Sequence, residues 1–146
     1  MDSVGELEAK LPALEALSRA ESEGLVRAVG VSSHSREVLM RLLTLPEVDV
    51  ALVVVNQTGA WMKDAVPTEM TGAVKRLYQS DRGVYGMKAL GSCAVTGKTE
   101  VARALRYAFR YPYTHATCVG ITTEAELEAD VAVWRQARRP SKTPRR

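Results

Sequence analysis

VDVALVVVN, residues 48–56, is an almost unbroken run of β-branched and aliphatic residues that stops at an amide side chain. A run of this length, without polar alternation, reads as a strand buried on both faces, the habit of strands in parallel sheets. Three further runs share its character: residues 26–31, 84–89 and 116–121. Between them the spacing turns helical, with Val38, Leu39, Leu42 and Leu43, then Val74, Leu77 and Tyr78, then Val101, Leu105 and Phe109. Strand and helix alternate, and parallel neighbours need crossover connections, so the fold class is α/β. A helix before the first strand faces inward through Leu14 and Leu17, with Pro12 in its first turn. One after the last strand does so through Leu127, Val131 and Trp134.

The 146 residues, 46% apolar and 25% charged, suffice for one domain with a real core. No run approaches the roughly 18 to 20 apolar residues of a membrane span, and the acidic start, MDSVGELEAK, is unlike a signal peptide; a cytoplasmic protein without membrane association is expected. The net charge of +3 is unevenly spread: residues 1–23 carry six acids and two bases, whereas residues 135–146 carry six bases and no acid. Two prolines and few apolar residues mark that basic end as a flexible tail after a body spanning 1–134, which argues against a nucleic-acid function. Cys93 and Cys118 match no metal spacing and read as small buried thiols.

Polar residues gather where the strands end: Ser32, Ser33 and His34, then Asn56 and Gln57, then residues 88–92, then Thr122 and Thr123. In α/β folds this is the ligand face, and the loop 57–67, with Trp61 and Met62, is a surface loop or a lid over it. Thr122 and Thr123 open a helix whose free amides suit an anion; Thr123 with Glu126 is equally a capping box that needs none. GSCAVTGKT, residues 91–99, misses the spacing of a phosphate-binding P-loop by one residue. His34 and His115 fall at opposite ends of their strands and do not form a metal pair. No nucleophile elbow or paired acid and base is evident.

The strand-end sequences GLVRAVGVSSHS (24–35), VDVALVVVN (48–56), GVYGMKALGS (83–92) and CVGITTEAELEAD (118–130), in this order, resemble the aldo-keto reductase family over the second half of its barrel. The resemblance implies four strand-helix units forming half of a (β/α)8 barrel; a small open doubly wound sheet is the alternative that alternation alone permits. It implies NAD or NADP as cofactor, and no metal. Ser32 matches the family's carboxamide-binding serine, whereas Ser33 replaces its asparagine; Asn56 matches, whereas Leu52 stands where a glutamine is common. Lys88, Leu90, Gly91 and Ser92 correspond to the loop along the cofactor pyrophosphate, with Lys88 where serine is frequent. Thr122 and Thr123 correspond to the phosphate-contacting loop, with Glu126 where NADP-preferring members carry arginine and Asp130 where they carry asparagine. A carboxylate repels a 2′-phosphate, which favours NAD. The family's catalytic Asp, Tyr, Lys and His belong to the other half of the barrel, so an oxidoreductase fragment without independent turnover is expected. Four strands leave open edges that call for a second copy or a complementary N-terminal half. The alternative function is a non-catalytic scaffold that associates through those edges.

Overall fold

The computed structural model describes residues 1–92 and 94–138. The chain order is α1 (Val4–Ala9), α2 (Leu11–Ser22), β1 (Gly30–Ser33), α3 (Arg36–Leu42), β2 (Val50–Val54), α4 (Pro67–Gln79), β3 (Gly83–Met87), α5 (Lys98–Phe109), β4 (Ala116–Thr117) and α6 (Glu124–Ala137). All strand pairs are parallel and the sheet order is β1-β2-β3-β4. Sequential order has a geometric consequence. Right-handed crossovers that always step in one direction put every connecting helix on the same face. A doubly wound sheet reverses direction and covers both faces. The order therefore selects the barrel segment over the doubly wound alternative, and the sheet is not closed.

The register makes the two faces visible. Val31, Ala51 and Val84 stand side by side, as do Ser33, Val53, Gly86 and Thr117. Val31, Ala51, Val84 and Val53 are at most 5% exposed because α3 and α4 lie over them. Rows of the opposite parity, Gly30–Val50–Gly83 and Ser32–Leu52–Tyr85–Ala116, point away from the helices. Only near the strand C-termini is that second face covered, at Val54 and Met87. Tyr85 is 42% exposed there. Gly30 belongs to the bare row for a steric reason: a Cβ at this position would lie 2.7 Å from the Val50 carbonyl oxygen.

The main core joins Leu7, Leu14, Val38, Leu39, Leu42, Met70, Val74 and Leu77 to the covered face of the sheet. A smaller cluster, Ala89, Leu105, Ala108 and Val133, holds α5 and α6 together. The N-termini are locally specified. Ser35 accepts from the Val38 amide and Thr123 from the Glu126 amide, each satisfying a donor the helix cannot. Pro12 lies in the first turn of α2, as the sequence predicts.

Several expectations need correction. The first strand begins at Gly30 rather than residue 26, and Leu25 and Val26 are exposed. The fourth is two residues long, because β4 has a neighbour on one side only; after the Cys118 amide donates to the Gly86 carbonyl at 2.7 Å the chain leaves the sheet. The inward stripe of α6 is Val133 and Ala137, not Leu127 and Trp134, which are 47% and 44% exposed. Likewise Leu14 is buried but Leu17 is not. Both helices stand at ends of the helix layer, where the far side of an apolar stripe has nothing to pack on. Cys118 is exposed rather than buried; Cys93 lies outside the described residues. Helix α6 runs through Ala137, and residues 139–146 of the basic tail also lie outside them.

Candidate functional site

The C-terminal ends of the strands meet in a rim formed by the loops that follow them. Over β1 and β2 the rim is tied down. Asp64, from the loop 57–67, accepts hydrogen bonds from the Ser35 hydroxyl (2.7 Å), the Arg36 amide (2.6 Å) and the Glu37 amide (3.0 Å), so it caps α3 from outside. Partial burial pushes the Asp64 carboxyl up, but the bonds from Glu37, Ser35 and Arg36 outweigh it and hold it below its ordinary value. The Lys63 amide donates to the His34 carbonyl at 3.1 Å, and the His34 ring contacts Asp2 at 3.0 Å. The loop is thus a strap laid from the end of β2 to the end of β1. On it Trp61 carries the Lys88 ammonium 4.9 Å from its ring centroid.

The two serines of β1 part company because successive strand residues face opposite ways. Ser33 is fully buried on the helix side; its hydroxyl donates to the Met1 carbonyl at 2.7 Å and accepts from the Ser35 amide at 3.1 Å. Ser32 is exposed on the bare face, with its hydroxyl 3.8 Å from the Met87 sulfur. Asn56 is 4% exposed and its amide is fully engaged: Nδ2 donates to the carbonyls of Ala60 (2.9 Å) and Lys88 (3.1 Å), and Oδ1 accepts from the Thr58 hydroxyl (3.1 Å). Asn56 therefore fastens the strap to the end of β3.

Residues 88–92 turn sharply. Lys88, Gly91 and Ser92 all take positive φ, 59°, 58° and 51°, and the Gly91 amide closes the turn on the Lys88 carbonyl at 2.9 Å. For lysine and serine that region is unusual, and such strain collects at functional sites. The turn borders an open cleft of about 280 Å³ lined by Lys88, Leu90 and Ser92 on one side and by Cys118, Val119 and Gly120 on the other. The structure thus brings the β3 loop against the start of the β4 loop. The sequence gives no signal that Cys118 and Val119 line this cleft beyond their place at a strand end facing the β3 loop.

Thr122 and Thr123 lie farther along, and their donors are taken. The Glu126 carboxylate accepts from the Thr122 amide (2.7 Å), the Thr122 hydroxyl (2.8 Å) and the Thr123 amide (3.2 Å). Bonds from the Thr122 amide and hydroxyl lower the Glu126 carboxyl, while partial burial and then the Glu126 charge raise Asp130. A carboxylate already occupies the place an anion would take at this helix start. His115 belongs to the opposite end of the sheet: its Nδ1 accepts from the Val84 amide at 3.0 Å and its ring stacks on Tyr78. Among the described residues no group of three or more His, Cys, Asp or Glu gathers as a metal site.

A dinucleotide fits this rim unevenly. The turn 88–92 offers an open, partly polar cleft. Ser33 and Asn56 spend their polar atoms inside the protein, and Glu126 sets a carboxylate against the amides of Thr122 and Thr123.

Four parallel strands in sequential order, with all crossovers on one face, define a partial (β/α)8 barrel, and the barrel proteins it resembles are the aldo-keto reductases. Two solved structures of a "putative aldo-keto reductase" from Pseudomonas aeruginosa match at 26% identity with a TM-score of 0.65 and at 24% with a TM-score of 0.63. Each match covers 83% of this chain and 42% of the other. The chain therefore spans less than half the length of these relatives. No family model and no curated protein matches the sequence.

Proposed function

We propose that the chain is an aldo-keto-reductase-like oxidoreductase fragment that supplies the cofactor-facing rim of a barrel and needs a second body to complete it. The observation that carries this reading is the cleft between residues 88–92 and 118–120, set at the strand C-termini where barrel enzymes place their ligands. The ligand is NAD(H) rather than NADP(H), since Glu126 holds the amides of Thr122 and Thr123 with a negative charge. Lys88, Leu90, Gly91 and Ser92 line the pyrophosphate, and Ser32 faces the nicotinamide end from the bare side of the sheet. Hydride donation is the chemistry such a cofactor brings when bound.

The second body is a second copy or a complementary N-terminal half. Parallel sheets are found with both faces covered, and this one leaves Leu52 half-buried and Tyr85 exposed. The edge of β4 is available for parallel pairing, whereas the C-terminal end of the β1 edge is already held by Met1, whose amine donates to the Ser32 carbonyl at 2.9 Å and whose carbonyl accepts from the His34 amide at 3.3 Å. The isolated chain reduces no carbonyl: Tyr85 has no hydrogen-bonding partner for its hydroxyl among the described residues, and the Lys88 ammonium rests over Trp61.

Fluorescence titration of the purified chain with NADH and with NADPH, alongside light scattering, tests this. Saturable NADH binding, tighter than NADPH and accompanied by a doubled mass, is the expected result. A folded monomer that binds neither would overturn the cofactor reading. Glu126→Arg is expected to reverse the preference between the two cofactors.

A further inference from the structure

Helix α5 carries arginines at positions 103, 106 and 110. Spacings of three and four return to the same side of a helix, and seven residues at 1.5 Å rise extend over about 10 Å. The three arginines line one continuous groove of about 330 Å³ together with Gln57, Tyr107 and Tyr111. None of these lining residues is acidic. Arg103 pairs with Glu100 at 2.6 Å on the helix surface, and the Arg110 Nε donates to the Ala137 carbonyl at 3.3 Å. The Arg106 side chain has neither a hydrogen bond nor an ion pair among the described residues.

Glu100 offsets the charge of Arg103, but Arg106 and Arg110 stand four residues apart on one helix face with no acidic partner among the described residues, and like charges at that spacing repel. An anion reverses the sign of the interaction. Guanidinium is the group best matched to phosphate, because its planar fork donates two parallel hydrogen bonds and stays charged at every accessible pH. Tyr107 and Tyr111, packed edge to face at 5.8 Å, form a firm wall of the groove. We propose that this groove is an anion site for a small molecule bearing two or more phosphoryl groups in a row, gripped by Arg103, Arg106 and Arg110. None of its residues belongs to the cleft at 88–92, so the inference stands independently of the cofactor reading.

Calorimetric titration of the full chain with tripolyphosphate is the test. Saturable binding with one ligand per chain is expected, weakening as salt rises. Arg106→Glu is expected to lower affinity by at least about tenfold, as the loss of a charged hydrogen-bonding partner would. Arg27→Glu, the same charge change at an exposed loop position outside the groove, is expected to leave affinity within about twofold of the parent. Arg106→Lys, which keeps the charge and the fold but loses the fork, falls between the two. Equal losses from Arg106→Glu and Arg27→Glu, no loss in Arg106→Lys, or no saturable binding at all would overturn the proposal.

Discussion

The two faces of this sheet are made from the same four strands and have opposite fates. One face, Val31, Ala51, Val53 and Val84, is sealed under α3 and α4. On the other, one residue along, Ser32, Leu52 and Tyr85 meet solvent in whole or in part. Period-two alternation alone does not explain this, because both faces carry apolar residues: a solvated antiparallel face would show Thr, Lys or Glu where Val50 and Leu52 stand. The difference teaches that the strands are written for a two-sided environment, and that the helices of this chain supply one side of it.

Breaking the sealed face has the largest expected effect. Leu39→Ala removes a fully buried side chain of α3 from the main core, and a loss of roughly 2 to 5 kcal/mol in urea denaturation is expected. A loss below about 1 kcal/mol would mean that the two faces are equally loose.

The rim between the faces is intermediate. Asp64→Ala takes the cap from α3 and is expected to cost about 1 kcal/mol. The Asp64 carboxyl titrates below its ordinary value in the folded chain, so its contribution is complete above the unfolded value near 3.8 and fades as pH falls through the lower folded value. The parent should therefore lose more stability than Asp64→Asn between neutrality and the acid range below pH 3.8. Parallel pH curves for the two would remove Asp64 from the rim's support.

The bare face should be nearly indifferent by itself. Tyr85→Ser is expected to change monomer stability by less than about 0.5 kcal/mol, as at an ordinary surface position, while weakening self-association seen by light scattering. A large stability loss would show that Tyr85 is packed within the single chain.

The alternation of strands and helices was legible in the sequence because each element's period is local. The strand-end rim was legible for the same reason: Ser32, Asn56, residues 88–92 and Thr122 all stand just after apolar runs. What the residues do there was less legible. Ser33 and Asn56 are spent on internal bonds to Met1, Ser35, Ala60 and Lys88, partners set by how loops fold back rather than by spacing. On α6, Leu127 and Trp134 have the right period for burial but no neighbour to bury them. Amphipathicity states which side of a helix is apolar, and only the neighbouring elements decide whether it is covered. Small thiols usually go to the core, but the early exit of β4 from the sheet leaves Cys118 exposed.

The sheet is open and half covered, and under the proposed function it closes with a second body. Thiol labelling at two adjacent positions reads it most directly, with cysteine placed at Val84 or at Tyr85 in a background of Cys93→Ser and Cys118→Ser. At submicromolar chain concentration, Tyr85→Cys is predicted to react at nearly the rate of an unfolded chain while Val84→Cys is protected, and protection at 85 should grow as concentration rises. Equal protection at both positions in a monomer, at every concentration, would contradict the account.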